Sequence, residues 1–99
     1  MARVAVHDRR DSVGVAIEDI RTGDEVEAVY IIDKFVIGRI KALGDIPLGH
    51  KIALKDIGAG EKIIKYGRPI GVATRDIKAG EHVHTHNLKS IRWGALERR

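Results

Sequence analysis

Histidine recurs at every second position in Gly80-Glu81-His82-Val83-His84-Thr85-His86-Asn87-Leu88, a stretch that holds three of the chain's five histidines. Alternate side chains of an extended strand share a face, so this spacing predicts His82, His84 and His86 on one side and Val83 and Thr85 on the other. Same-face neighbours then stand roughly 6.5–7 Å apart, twice the rise of about 3.3 Å per residue. Imidazoles in such a row can close on a metal ion, bind an anionic ligand, or line a solvated face. Two further groups of polar residues flank glycines. His50 and Lys51 follow Gly49, where Lys51 can pair with a carboxylate as a compact cation or sit on a charged, solvated hairpin. Lys65 and Tyr66 precede Gly67 and can donate to hydroxyls, although a tyrosine there also packs half-buried with its OH in water. His7 reads as an ordinary strand residue.

The elements that must position these residues are short strands and turns. Isoleucine and valine dominate the hydrophobes, with one Phe, one Trp, one Met and 11 Gly, a mix that favours strands joined by glycine turns. A unit of Asp-Ile-x-x-Gly, a polar residue, any residue and a β-branched one occurs at Asp19, Asp45, Asp56 and Asp76. In each copy the Ile enters the core and the Gly supplies the positive φ of a tight turn. The Asp is expected to bond backbone N–H groups of its own turn. Unequal spacing between the copies excludes a solenoid, which needs a fixed period. Residues 27–43 carry the richest β-branched run, read as strands with Phe35 as a core anchor. A hairpin is expected around Gly67-Arg68-Pro69. The fold class is all-β.

The 99 residues make a single domain, 1–99, with a small core and a short tail over 93–99. A net charge of +4 is spread along the chain and interleaved with 14 acids, which suits an anionic small molecule or an acidic partner better than nucleic acid. Absence of cysteine removes disulfides, thiolate metal sites and a Cys nucleophile. No apolar run reaches the length of a membrane span or a signal peptide core, so no membrane association is expected and the predicted location is cytoplasmic.

Three stretches in register carry a resemblance: Asp45-Ile46-Pro47-Leu48-Gly49-His50-Lys51-Ile52-Ala53-Leu54, Ile64 to Gly71, and Gly80 to Asn87. Over residues 11–92 they resemble the SAF domain of the altronate and galactarate dehydratases, and are similar to the small (alpha) subunit of sulfolactate sulfo-lyase. The resemblance implies a β-clip, a long bent hairpin folded on itself. It also implies the small subunit of a sugar-acid hydro-lyase, inactive alone and partnered by a large catalytic subunit. A divalent metal, iron by analogy, would be held mainly by that subunit. In this setting His84, His86 and Asn87 are the candidate catalytic residues, and His82, His84 and His86 the candidate metal ligands. His50, Lys51, Lys65 and Tyr66 are the candidate substrate-binding residues. Trp93 beside Arg92 is assigned to a partner interface, and the Ile/Val-rich edges suggest a homo-oligomer. The alternatives are a non-catalytic SAF-type module that binds carbohydrate or protein, and a sulfo-lyase alpha subunit.

Overall fold

The computed structural model describes residues 1–91. In chain order the strands are β1 (Ala2–Val6), β2 (Val13–Ala16), β3 (Glu25–Tyr30), β4 (Val36–Lys41), β5 (Lys51–Ala53), β6 (Lys62–Lys65), β7 (Arg68–Ala73), β8 (His82–Val83) and β9 (Leu88–Ser90). They form a six-stranded sheet in the order β4-β3-β1-β2-β5-β8 and a three-stranded sheet in the order β6-β7-β9. The expected all-β, SAF-like architecture is what the chain adopts. No helix among the described residues is long and apolar enough to cross a membrane. Trp93, Arg92 and the 93–99 tail lie outside the described residues.

Strand character follows the period of two. In β1, Ala2, Val4 and Val6 are buried while Arg3 between them is exposed. β1 pairs antiparallel with β2 and parallel with β3, so the first sheet is not a simple meander. Two clusters of buried side chains result, one around Val4, Val26, Ile46 and Ile52, the other around Val13, Ile63, Ile77 and Val83. The largest fully buried side chains are Ile20, Ile46, Ile52, Ile57, Ile63 and Ile77. Each contributes about 1.5–3 kcal/mol of burial. Four of the six are the Ile of an Asp-Ile unit.

Those four units meet in pairs. Ile20 bridges Ile46 and Ile57 bridges Ile77, each pair exchanging both backbone bonds. The aspartates cross these seams instead of closing their own turns, which corrects the expectation of local bonds. Leu48 N–H donates to Asp19 Oδ1 and Thr22 N–H to Asp45 Oδ1, while Ala59 N–H donates to Asp76 and Ala79 N–H to Asp56. Each turn glycine also donates to a buried alanine of the opposite copy, Gly23 to Ala42, Gly49 to Ala16, Gly60 to Ala73 and Gly80 to Ala53.

Phe35 is 56% exposed and anchors no core. The turn between β3 and β4 lifts it outward, with Lys34 at φ 61°, and the Arg9 guanidinium lies 4.8 Å from the Tyr30 ring and 5.9 Å from Phe35. The second sheet's hairpin turns at Tyr66-Gly67, one residue earlier than expected, and Pro69 lies within β7, opposite Ile64.

Candidate functional site

His50 reaches the site through the chemistry of its turn. In three of the four units the acid after the glycine reaches back to a backbone N–H at the turn's start. Asp24 accepts from Arg21, Glu61 from Gly58 and Glu81 from Lys78. The second unit has Pro47 at that place, and proline has no N–H to satisfy. The position after Gly49 is thereby released from this duty, and it carries histidine.

β5 and β8 then bring the histidines together. Their antiparallel register pairs Lys51 with Val83 and Ile52 with His82, which sets His50 opposite His84 one step further on. His50 Nδ1 lies 2.9 Å from His82 Nε2, a hydrogen bond that requires at least one of the two rings to be neutral. The His50 and His84 rings stack with centroids 4.4 Å apart, and His82 and His84 at 5.6 Å. One ring nitrogen from each of His50, His82 and His84 lies within 4.8 Å of the others. All three side chains are half-buried.

The continuous strand expected over His82–His86 ends at Val83, and residues 84–87 form a turn. His50 replaces His86 in the nitrogen-donor group. His86 is exposed, its ring 5.2 Å from that of His82, and its carbonyl accepts from Arg75. Asn87, expected as a group in contact with substrate, is fully buried. Its Oδ1 accepts from His84 N–H and its Nδ2 donates to the His82 carbonyl, each at 2.9 Å. It braces the turn from beneath and fixes the backbone of two histidines. An Asn three residues after His84 was the available signal, since Asx side chains bond nearby backbone.

Burial lowers the His82 pKa, and His50, His86, His84 and Lys51 lower it further by charge repulsion. His84 is shifted the same way by desolvation, then by His50, Lys51 and His86. Neutral imidazole is the ligating form, so the lowered pKa values of His82 and His84, with His50 Nδ1 2.9 Å from His82 Nε2, fit a divalent transition metal. Lys51 extends the cationic field. Its own pKa is lowered by burial and by Lys65. Lys65 carries its ammonium 5.0 Å from the centre of the Tyr66 ring, and that ring lies 4.1 Å from His7. His7 was not singled out as functional from sequence, and its pKa is lowered by burial and then by Lys65, against a smaller opposing effect of Asp11.

With this geometry in view, known proteins decide the family. The altronate/galactarate dehydratase SAF domain matches residues 2–91. The chain belongs to that family. It is 36% identical over 88 residues to the (2R)-sulfolactate sulfo-lyase subunit alpha of Chromohalobacter salexigens, covering 89% of this chain and 94% of that one. Altronate dehydratase of Bacillus subtilis is 40% identical over 87 residues, 88% of this chain but 16% of that protein. Galactarate dehydratase (L-threo-forming) of Escherichia coli is 35% identical over 82 residues, 14% of its length. The chain therefore spans nearly all of one relative and about a seventh to a sixth of the other two.

Proposed function

We propose that this chain is the small subunit of a lyase that removes water from a hydroxy acid, acting with a separate large catalytic subunit. The observation that carries the reading is the convergence of His50, His82 and His84 in a chain whose described length matches a lyase domain. A second reading, sulfite as the leaving group, is favoured by the 94% coverage of a sulfo-lyase alpha subunit. Both are eliminations next to a carboxylate, and both need the carboxylate's developing charge stabilised and the leaving group assisted.

This chain's part is one wall of the site. His50, His82 and His84 would hold a divalent cation through neutral ring nitrogens, iron by family analogy. When bound, it would supply Lewis-acid stabilisation of the developing negative charge. Asn87 holds His84 and His82 in place through the backbone. His86, exposed beside His82, is free to exchange protons with substrate at the open face. Ile31, Ile32, Phe35, Val36 and Ile37 are exposed at the β3–β4 end, an apolar surface that the large subunit would cover. The assembly is placed in the cytoplasm.

The test is co-purification of the tagged chain from its native lysate, followed by iron-supplemented assays on altronate, galactarate and (2R)-sulfolactate. Recovery of one large partner, with lyase activity in the complex alone and a fall of at least about tenfold in His84→Ala, is expected. A complex that keeps full activity when His82 and His84 are both Ala would remove the histidines from the mechanism.

A further inference from the structure

Two half-buried lysines, a histidine and a strained tyrosine form a second polar group beside the histidine cluster. Tyr66 takes φ 58° and Gly67 φ 72° at the tip of the β6–β7 hairpin. Two-residue hairpin turns with both φ positive favour Asn-Gly or Gly-Gly, because a bulky residue is disfavoured there. A tyrosine held in that conformation points to a use for its side chain. The backbone is over-determined around it, since Gly67 N–H donates to Asp11 Oδ1 at 2.9 Å and Lys65 pairs with Arg68. The ring is fixed by His7 at 4.1 Å and by the Lys65 ammonium at 5.0 Å, while the residue as a whole remains 57% exposed.

The charges around it are unbalanced. Among the described residues neither Lys51 nor Lys65 makes a salt bridge, though both are half-buried. The acids that reach this end are engaged elsewhere. Asp8 binds the Arg10 side chain at 3.0 Å, and Asp11 accepts from Gly67 and Asp8 backbone N–H groups. A face with two ammonium groups, a phenol and no carboxylate to spare is complementary to an anion.

We propose that His7, Lys51, Lys65 and Tyr66 form the subsite that binds a carboxylate of the hydroxy acid, separate from the His50–His82–His84 group. The inference rests on the lyase reading above for its ligand class and deepens it. Lys51 and Lys65 supply charge, the Tyr66 hydroxyl donates to a carboxylate oxygen, and His7 orients the ring. His7 is then a positioning residue and Tyr66 a substrate-binding one, both at the non-reacting end of the substrate.

The experiment is titration of the full chain with galactarate at pH 7.5, by calorimetry and by chemical shift, with Co²⁺ absorbance as a separate probe of the histidine group. Galactarate is expected to perturb His7 and Tyr66. Lys65→Gln should weaken it about tenfold, the loss of one charge-assisted bond. Tyr66→Asn, which suits the turn, should weaken it several-fold without lowering the unfolding midpoint. Co²⁺ binding should be unchanged in both and lost in His84→Ala, which retains galactarate. Galactarate affinity unaltered by both Lys65→Gln and Tyr66→Asn, no binding at millimolar galactarate, or equal binding of the neutral polyol galactitol would each overturn the subsite. Failure of the wild-type chain to bind Co²⁺, with galactarate still dependent on Lys65 and Tyr66, would remove the metal reading and leave this one standing.

Discussion

The Ile20–Ile46 seam and the Ile57–Ile77 seam have the same frame. In both, two isoleucines exchange backbone bonds, two aspartates cross, and two glycines donate to opposing alanines. They differ in what the turns do next. The Ile57–Ile77 seam caps both turns with glutamates, and its histidines, His82 and His84, come only after the cap. The Ile20–Ile46 seam caps one turn with Asp24 and leaves the other to Pro47, so His50 is free. A single residue without an N–H separates a turn capped by its own acid from one that leaves His50 beside His82. His50 occupies the position that the frame did not need.

The largest break in this comparison lies in the glycines. Gly80 has φ +95° and an added Cβ would sit 2.1 Å from the Lys41 carbonyl oxygen, whereas Gly49 has φ +85° and nothing within 4 Å. Gly49→Ala should cost about 1 kcal/mol of backbone strain. Gly80→Ala must also push away the Lys41 backbone and the Leu43 side chain, and should cost about 4 kcal/mol or prevent folding. Urea unfolding of both variants checks the ranking, and equal costs would refute the close approach.

A second variant sharpens the contrast. Pro47→Lys with His50→Glu rebuilds the first seam's turn on the pattern of Lys78 and Glu81. The expected change in stability is within about 0.5 kcal/mol, as for exposed substitutions that keep their bonds. Co²⁺ affinity should fall at least about tenfold through loss of the His50 nitrogen. Retained Co²⁺ affinity would show that His50 is no part of the donor group.

The smallest effect is pH dependence. His7, His82 and His84 have folded pKa values below the unfolded 6.5, so between the two the unfolded chain binds more protons. Stability should therefore rise with pH through this window and level off above about 6.5. Asp45 acts in the same direction at the acid end. Thr22 N–H first, and then its hydroxyl, lower the Asp45 pKa, so its contribution is present above 3.8 and lost as pH falls through the folded value. Thermal unfolding across pH 2–8, with Asp45→Asn flattening only the acid limb, separates the two seams.

Much of this was legible in the sequence, and the gaps have physical causes. The Asp-Ile-x-x-Gly copies gave the buried isoleucines and the glycine turns, because both follow from local chemistry. That copies pair across the molecule was not readable from any one copy, yet Ala16, Ala42, Ala53 and Ala73 stand three residues before each Asp and mark the partner site. Period-two spacing over His82–His86 suggested a strand, but the buried amide of Asn87 outbid extension by bonding the backbone of His84. The β-branched run around Phe35 read as core by composition alone, which says nothing about which face an edge hairpin shows. His50 and Tyr66 were noticed as polar residues beside glycines. Their placement depends on a proline two places before Gly49 and on a backbone angle, neither of which hydropathy reports.

The seams also bear on how the chain assembles. Their crossing bonds join residues 23 and 29 positions apart in one seam and 17 and 23 in the other, whereas the His50–His82 contact spans 32. Each seam closes its own modest loop, and loop closure grows costlier with length only slowly. The histidines meet only when the two units dock through β5 and β8. An ion bound by all three would act as a clasp across that junction, stabilising it by mass action. Amide hydrogen exchange at His82 and Val83 should slow on adding Co²⁺ far more than exchange at Ile20 or Ile57, because these open within a single folding unit.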